Sequence, residues 1–255
     1  MSVLIVAPTY NERDNIELFL RGIRESVPDA TVVVVDDNSP DGTGDLAEEL
    51  ASQMGMVKVL HRQTKMGLGS AYRHAMQPAL DEGYDIVVTM DVDLSHDPAA
   101  IPDLIGALTR GHDVALGSRY VRGGSVSDWP LHRRLLSRWG NRYTAFALRV
   151  PVSDCTTGFR AYRSSALRVI EPHTTTAEGY AFLTELVRRM VRSDLAIVEV
   201  PIHFRDRRAG TSKMSLRIVI ETMVLVTRWA ITDRRSKRTM SAHQGTRSGP
   251  PSSGS

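Results

Sequence analysis

The sequence predicts an α/β fold in which a mostly parallel sheet is covered by helices on both faces. Two observations support this class. Apolar runs alternate with segments of helical periodicity along the first half of the chain, and the runs are hydrophobic throughout, as is typical of strands buried on both faces. Polar clusters follow several of these runs, and ligands of parallel sheets bind at the carboxyl ends of strands.

The first half of the chain contains five predicted strands and four predicted helices. The strands cover residues 3–7, 31–35, 57–60, 86–90 and 114–116. The helices between them cover residues 15–26, 45–53, 70–80 and 98–109. Asp97 followed by Pro98 favours a helix start at that point, because aspartate caps helix N-termini and proline fits the first turn.

The pattern changes in the second half. An arginine-rich amphipathic helix begins at Leu131 and is followed by a polar loop at 154–160, a helix near 179–192 and a strand near 197–200. A second apolar helix covers residues 216–231. Residues 232–255 are rich in Ser, Gly, Pro and Arg and are expected to form a disordered basic tail. We therefore expect one domain over residues 1–231.

The composition indicates a globular protein. Of its 255 residues, 42% are hydrophobic and 24% are charged, which is sufficient for one large domain. The one cysteine, Cys155, excludes an internal disulfide framework. The short apolar start runs directly into Pro8, so we expect no signal peptide, and no apolar run has the length of a membrane span.

Positive charge is concentrated in the second half of the chain. The net charge is only +3, but residues 131–150 carry five arginines and no acid. Such a basic surface suits nucleic acid, a membrane or a phosphorylated ligand. Because the sequence contains no nucleic-acid-binding motif, we expect no nucleic-acid partner.

The clearest candidate for chemistry is the D-V-D sequence at Asp91 and Asp93, directly after the fourth strand. Side chains at i and i+2 of an extended segment point the same way, so both carboxylates can address one point. A divalent cation offsets their repulsion, and oxygen ligands suit Mg²⁺ or Mn²⁺. Taken alone, the same pattern also fits a solvated acidic turn.

Other polar clusters fit a nucleotide site. Tyr10 and Glu12 follow the first strand and offer a ring face and a carboxylate. Asp37 follows the second strand, where an acid commonly binds ribose or a base edge. The glycine-containing segment 65–72 allows close approach of a phosphate or sugar. Ordinary turns and helix entries explain each of these clusters equally well.

Cations that can bind phosphate occur at two further places. Arg119 follows the fifth strand, and Arg207 and Lys213 follow the last predicted strand. Taken singly, each is also compatible with a solvated surface cation. Their order together with the acids supplies the parts needed to bind a nucleotide-sugar.

Seven motifs occur in order along the chain: P-T-Y-N-E, D-D-N-S-P-D-G-T, K-M-G-L-G-S-A-Y, M-D-V-D-L-S-H-D-P, G-S-R-Y-V-R-G-G, D-C-T-T-G-F-R-A-Y and R-R-A-G-T-S-K. This set and its order resemble glycosyltransferase family 2. Within that family they are most similar to the polyprenol-phosphate, or dolichol-phosphate, mannose synthases. The resemblance covers residues 3–231. It implies a Rossmann-like GT-A fold and inverting transfer of mannose from GDP-mannose to a polyprenyl monophosphate.

The resemblance also implies roles for individual residues. Guanosine is expected to contact Pro8, Tyr10, Glu12, Val35 and Asp37. The ribose-diphosphate and a Mg²⁺ or Mn²⁺ ion are expected at Asp91, Val92 and Asp93, with the two aspartates as metal ligands. Phosphate is expected to contact Arg119, Arg207 and Lys213, and the acceptor phosphate Arg133. Some family members carry Gln as a further metal contact where this chain has Ser95.

The implied acceptor is already anionic, so no side chain is needed to deprotonate it. We therefore expect catalysis by positioning and charge stabilisation through Asp93, Arg119 and Arg133. A lipid acceptor requires a membrane surface, and the stripe formed by Arg134, Arg138 and Arg142 fits an interfacial helix. A core-facing helix with one solvated side explains the same stripe equally well. We expect a peripheral location on the cytoplasmic face of the membrane. A membrane protein that anchors the chain there is a further possible partner.

Three other functions remain open from the sequence. A transferase of the same architecture could use UDP-glucose with the same lipid phosphate. An inactive nucleotide-binding regulator of this fold would have no need for the D-V-D sequence, Arg119 and Lys213 together. A nucleotidylyltransferase more typically carries a glycine-rich N-terminal loop with a basic residue, where this chain has P-T-Y-N-E.

Overall fold

A seven-stranded sheet forms the centre of the molecule in the computed structural model, which describes residues 1–206 and 216–245. For residues 216–218 and 235–245 the description is limited to the backbone. The strands are β1 (Val3–Thr9), β2 (Thr31–Asp36), β3 (Val57–His61), β4 (Ile86–Thr89), β5 (Val114–Ser118), β6 (Ser125–Val126), β7 (Arg160–Arg163), β8 (Ile197–Pro201) and β9 (His203–Phe204). The helices are α1 (Arg13–Ser26), α2 (Thr43–Met54), α3 (Leu68–Asp81), α4 (Ile101–Thr109), α5 (Leu131–Leu148), α6 (Ser164–Ile170), α7 (Gly179–Arg192) and α8 (Leu216–Gly245).

The sheet is mostly parallel, which confirms the predicted class. Its strand order is β3-β2-β1-β4-β7-β5-β8, and β6 and β9 form a separate two-stranded ribbon. Only β7 runs antiparallel to its neighbours in the large sheet; it pairs with β4 on one side and β5 on the other. All the other pairs in that sheet are parallel.

Strand β7 and helix α6 are absent from the sequence prediction. The segment Arg160–Arg163 begins and ends with arginine and therefore lacks the apolar character of the other central strands. Nevertheless, Arg160 is fully buried in the structure. Its charge is accommodated by backbone carbonyls, a local arrangement that hydrophobic patterning does not reveal.

Both faces of the sheet are covered by helices, as predicted. Alternate residues of β1 point to opposite layers: Ile5 packs with residues of α1, α2 and α4, whereas Val6 packs with residues of α3, α6 and α7. This double burial explains why the strands are apolar at every position. At Asp97 the predicted cap is present, because the side chain accepts a hydrogen bond of 2.9 Å from the Ala99 amide.

Helix α5 agrees with the predicted start at Leu131 and packs against α8. The two helices are joined by a hydrogen bond of 2.6 Å between the Tyr143 Oη and Thr227 Oγ1 atoms. The backbone of α8 continues to Gly245, beyond the predicted end of the second apolar helix at residue 231. The division into a domain over residues 1–231 and a disordered tail stays a prediction. The polar composition of residues 232–245 gives no apolar periodicity from which this continuation could be predicted. Within the described residues, no helix is long and apolar enough to cross a membrane.

Candidate active site

The carboxyl ends of β1, β2, β4 and β5 lie along one edge of the sheet and position the predicted polar clusters there. The backbone continues the strand pairing just beyond two of these ends. The Asp37 amide donates to the Thr9 carbonyl at 3.1 Å, and the Met90 amide donates to the Val6 carbonyl at 3.2 Å. Residues that follow different strands thereby become neighbours.

The two aspartates of the D-V-D sequence occupy different environments. Asp93 is buried, and its Oδ1 accepts a hydrogen bond of 3.0 Å from the Ser95 amide. Asp91 is partly exposed, and the Tyr72 hydroxyl lies 3.4 Å from its Oδ1. Burial, with the nearby Asp91 charge, raises the pKa of Tyr72 well above its usual range. Tyr72 is thus a neutral hydroxyl that can donate to this carboxylate.

The T-T-G-F segment before β7 packs directly against this carboxylate. The Thr89 hydroxyl donates to the Gly158 carbonyl at 2.6 Å. A Cβ atom added at Gly158 would lie 3.4 and 3.5 Å from the two carboxylate oxygens of Asp91. A larger side chain at this position would occupy the space beside the carboxylate, so glycine keeps that space open for a ligand.

Arg119 forms a buried ion pair with Asp154. Its Nε and Nη2 atoms donate to the Asp154 carboxylate at 2.6 and 2.7 Å, and Nη2 also reaches Thr156 at 2.9 Å. Burial alone would raise the pKa of Asp154, but the charge and hydrogen bonds of Arg119 outweigh it and lower that pKa. Burial also opposes the charge of Arg119, yet Asp154 raises the pKa of the guanidinium above its usual value. Both groups are therefore charged at neutral pH.

Arg160 and Asn141 hold the segment that carries Asp154. The Nη1 and Nη2 atoms of Arg160 donate to the carbonyls of Leu183 and Cys155, each at 3.0 Å. The Asn141 side chain on α5 accepts from the Cys155 amide at 2.8 Å. These bonds satisfy backbone groups that would otherwise be buried without partners. Burial raises the pKa of the Cys155 thiol to about 12, so it is protonated at neutral pH.

Arg133 lies among aromatic side chains. Its guanidinium carbon is 4.0 Å from the Trp129 ring centroid, and its Nη1 is 3.3 Å from both carboxylate oxygens of Asp206. Stacking and pairing together restrict a long side chain that would otherwise be mobile. The Trp129 ring in turn meets the Phe204 ring edge to face at 5.2 Å.

His96 is buried beside the D-V-D sequence and packs against two phenylalanine rings. The centroids of Phe159 and Phe204 lie 5.2 and 5.1 Å from its own. Burial lowers the pKa of His96 to about 4; the Asp93 charge opposes this shift and the Arg119 charge adds to it. His96 is neutral at pH 7, and within the described residues its Nδ1 has no hydrogen-bond partner.

A cleft opens beside the two aspartates and extends between α5 and α8. It encloses about 1000 Å³ of empty space, including its open mouth. The charged residues that line the cleft include Asp91 and Asp93 together with Arg119 and Arg133. Its helical walls contain polar and apolar residues: Leu136, Asn141 and Thr144 of α5, with Val219, Thr222 and Met223 of α8. The cleft thus joins a charged end to a partly apolar channel.

The predicted guanosine residues lie on the other side of the carboxylates. The Asp37 Oδ1 atom is 2.5 Å from the Arg62 Nη1 atom in a buried ion pair. The Lys65 ammonium lies over the Tyr10 ring, 3.7 Å from its centroid. The Glu12 carboxylate accepts a hydrogen bond of 2.8 Å from the Asn15 side chain. Several of these candidate ligands therefore already have protein partners.

Some of the residues predicted to contact the nucleotide have side chains that a ligand cannot reach. Val35 and Val92 are buried in the two hydrophobic layers, so their backbone atoms are the groups able to reach a nucleotide. Pro8 is partly exposed at the end of β1. Arg207 and Lys213 lie outside the described residues, and their predicted contacts with phosphate stay predictions.

Asp154 and Arg62 are the principal site residues missing from the sequence prediction. Asp154 stands at the start of the D-C-T-T-G-F-R motif, but its pairing with Arg119 bridges a separation of 35 residues. Arg62 follows β3 just as Asp37 follows β2. Its position after a parallel strand was the available signal, because ends of neighbouring parallel strands converge.

The carboxylates fit a divalent cation that is bound together with phosphate. Within the described residues no cluster of three or more His, Cys, Asp or Glu side chains forms a complete protein site. Two carboxylates that leave coordination positions for phosphate and water are the arrangement typical of Mg²⁺ in nucleotide-dependent enzymes. Asp91 and Asp93 supply such oxygens at the opening of the cleft.

Comparison with known proteins identifies the class. Residues 4–170 match the family Glycosyl transferase family 2, and the chain belongs to this family. It is 45% identical over 234 residues to the undecaprenyl-phosphate mannosyltransferase of Micrococcus luteus, covering 92% of this chain and 96% of that protein. It is 43% identical over 232 residues to the polyprenol monophosphomannose synthase of Mycolicibacterium smegmatis, covering 91% of this chain and 88% of that protein.

Solved structures confirm the GT-A fold. A mannosyltransferase from Pyrobaculum calidifontis in complex with GDP-Man and Mn²⁺ aligns with a TM-score of 0.54 and 17% identity, over 94% of this chain and 75% of that chain. TarS from S. aureus in complex with UDP-GlcNAc aligns with a TM-score of 0.59 and 19% identity, over 89% of this chain and 65% of that chain. At sequence identities this low, the structural similarity shows a shared fold alone.

Proposed function

We propose that this chain transfers mannose from GDP-mannose to a polyprenyl monophosphate, with inversion at the anomeric carbon. The observation that carries the proposal is the cleft, in which Asp91 and Asp93 adjoin a partly apolar channel between α5 and α8. A nucleotide-sugar requires the charged end, and a lipid acceptor requires the channel. Relatives named for mannosyl transfer to undecaprenyl and polyprenol phosphate support this choice of substrates.

In this proposal the donor nucleotide lies along the edge of the sheet. Guanosine lies near Tyr10, Glu12 and Asp37, with backbone contacts from Pro8 and Val35, and its diphosphate extends towards Asp91, Val92 and Asp93. Arg207 and Lys213 are assigned to the diphosphate on the resemblance of their motif to the family. The strand order supports this path, because Tyr10 follows β1, Asp37 follows β2 and the two aspartates follow β4, which lies next to β1.

Asp91 and Asp93 would hold the divalent cation, and we propose Mg²⁺ or Mn²⁺ as the natural ion. When bound, such a cation stabilises negative charge on the departing diphosphate. The chain's own contribution is to fix the two carboxylates: the Ser95 amide orients Asp93, and the Tyr72 hydroxyl lies beside Asp91.

The acceptor phosphate would lie between the aspartates and the α5 wall. Arg133 is held there by Trp129 and Asp206, and Arg119 is fixed by Asp154. Both cations can align an anionic phosphate for in-line attack, and their positions are set before the substrate arrives. The acceptor oxygen is already deprotonated, which is consistent with His96 being neutral and enclosed by aromatic rings.

We also propose that the enzyme docks on a membrane through α5 and α8. Four apolar side chains of α5 are largely exposed: Leu131 at 67%, Leu135 at 59%, Trp139 at 55% and Phe146 at 79%. On α8, Ile220 and Val224 are also exposed. Apolar side chains beside arginines are typical of helices that lie at a lipid interface. The cytoplasmic face, and a membrane-protein anchor, belong to this proposal as expectations.

The direct test is lipid product formation. The protein is incubated with vesicles containing polyprenyl phosphate, with Mg²⁺ and radiolabelled GDP-mannose or UDP-glucose. We expect label from GDP-mannose in a mild-acid-labile lipid. An Asp93→Asn variant should lose about 10²–10³ in rate, whereas Asp103→Asn, at an exposed site on α4, should retain it.

Two results would overturn the proposal. Transfer from UDP-glucose without transfer from GDP-mannose would assign a different donor. Nucleotide binding without any lipid-linked product, under conditions in which a related mannose synthase is active, would identify a binding protein of this fold instead.

A further inference from the structure

We propose that Arg62 and Lys65, two cations between β3 and α3, select guanine over other bases. Lys65 would donate to the guanine O6 atom, and Arg62 would act as a positioning residue for Asp37. The inference rests on the proposed function, because it deepens the description of the same donor site.

The first observation is the environment of Arg62. It is only 8% exposed and donates from Nη1 to the Asp37 Oδ1 at 2.5 Å and from Nη2 to the Ser70 hydroxyl at 2.7 Å. A buried arginine with two separate partners has few other orientations available. It therefore fixes one carboxylate oxygen of Asp37, and the second carboxylate oxygen is left to meet a ligand.

The second observation is the position of Lys65. Its ammonium lies 3.7 Å from the Tyr10 ring centroid, although the side chain is otherwise exposed. The ammonium has three donors, and a ring face accepts by charge attraction without using them in hydrogen bonds. A cation held above an aromatic ring therefore keeps its donors available for an acceptor atom of a base.

Three contacts bring these residues to one place. Tyr10 follows Thr9, whose carbonyl accepts from the Asp37 amide at 3.1 Å. Asp37 is paired with Arg62, and Lys65 lies over Tyr10. The ring, the carboxylate and the ammonium thus belong to one contiguous group at the ends of β1, β2 and β3.

The arrangement matches the donor and acceptor pattern of guanine. Its base-pairing edge presents two adjacent donors, N1–H and the N2 amino group, beside the O6 acceptor. A carboxylate accepts from the donors, and an ammonium donates to O6. Uracil presents one N3–H donor between two carbonyl oxygens, and adenine presents an amino donor where guanine has O6. A site that offers both a carboxylate and a cation therefore favours guanine. Adenine presents a donor to the cation, and uracil offers the carboxylate one donor instead of two and places a carbonyl oxygen beside it.

The experiment is calorimetric titration of the full-length protein with Mg²⁺ and four diphosphates: GDP, 6-thio-GDP, IDP and UDP. In 6-thio-GDP the O6 atom is replaced by a poorer acceptor, and IDP lacks the N2 amino group. We expect wild-type protein to prefer GDP over each of the others, by about tenfold or more where a charge-assisted hydrogen bond is lost.

The variants separate the two roles. Lys65→Met should abolish the preference for GDP over 6-thio-GDP and keep the preference over IDP. Arg62→Lys, which cannot reach both Asp37 and Ser70, should reduce the preference for GDP over IDP. The matched control is Lys58→Met. Lys58 lies on β3 and forms an exposed ion pair with Glu82, so this variant should change neither the preference for GDP over 6-thio-GDP nor that over IDP.

If Lys65→Met weakened the binding of all four diphosphates equally, the proposed hydrogen bond from Lys65 to O6 would be overturned. An unchanged ratio of GDP to IDP in a folded Arg62→Lys protein would overturn the positioning role; if that variant does not fold, the Lys65 result decides. Because binding is measured without acceptor lipid, guanine preference in a protein that transfers no mannose would reject the proposed function alone.

Discussion

Arg119 and Asp154 join the end of β5 to the segment before β7 through a buried, two-point ion pair, with nitrogen–oxygen distances of 2.6 and 2.7 Å. The acid thereby controls where the guanidinium lies within the cleft. A cation that would otherwise be a flexible surface group becomes a rigid part of the site.

Loss of the acid should therefore reduce stability as well as activity. Asp154→Asn leaves the buried Arg119 charge without its counter-ion, and breaking such a pair typically costs about 3–5 kcal/mol in the free energy of unfolding. Chemical denaturation measures this quantity. The control is Glu82→Gln, which removes an exposed ion pair with Lys58 and should cost less than about 1 kcal/mol. Similar losses in both variants would contradict a special role for the buried pair.

A methyl group at Gly124 should disturb the backbone at Arg119. A Cβ atom there would lie 2.5 Å from the Ser118 carbonyl oxygen and 2.9 Å from the Arg119 carbonyl carbon. Since backbone must move, Gly124→Ala should cost about 1–3 kcal/mol and lower turnover. Gly140→Ala, on α5, meets nothing within 4 Å and should be neutral or stabilising by up to about 1 kcal/mol. Thermal unfolding of both variants provides the comparison.

Stability should fall on mild acidification because of His96. Its pKa is about 4 in the folded protein, where burial dominates over the opposing Asp93 charge and Arg119 reinforces the effect. The unfolded state, with a pKa near 6.5, binds a proton in the interval between these values while the folded state does not. The free energy of unfolding should decrease by up to about 3 kcal/mol between pH 6.5 and pH 4.

His96→Phe should flatten this pH dependence, since phenylalanine has no proton to bind and can pack against Phe159 and Phe204. The stability contributed by Asp154 behaves differently: its pKa is lowered from 3.8, so that contribution is lost only at more acidic pH. A persistent slope between pH 6.5 and pH 4 in His96→Phe would show that another group binds the proton.

Removal of the exposed aromatic rings of α5 should weaken membrane binding. In a variant with Trp139→Ala and Phe146→Ala, less apolar surface is available for the lipid interface, and flotation with anionic vesicles should recover at least tenfold less protein, as expected for a loss of about 1.4 kcal/mol or more. The control is Val169→Ala at another exposed apolar position, on α6. Equal recovery of the two variants would indicate that α5 is not the docking surface.

The sequence was sufficient to predict the sheet, its covering helices and the edge at which the polar clusters meet. The sheet and helices follow from local periodicity, as in the apolar strand that contains Val6. The position of the site follows from the rule that ligands bind at the carboxyl ends of parallel strands, where Asp93 lies. The sequence was insufficient for partnerships between distant residues. Neither the pairing of Asp154 with Arg119 nor that of Arg62 with Asp37 can be read from local sequence, because the partners lie 35 and 25 residues apart in the chain. Strand β7 was missed because Arg160 is buried through hydrogen bonds to carbonyls instead of apolar contacts.

The position of β7 has a consequence for biosynthesis. Strands β4 and β5 precede it in the chain, yet β7 lies between them and pairs with both. During translation β4 and β5 can be joined through β7 only after Arg163 has left the ribosome. Such long-range pairings are late and comparatively slow steps of folding. The edge of the sheet that carries both Asp93 and Arg119 is therefore continuous only after this late pairing.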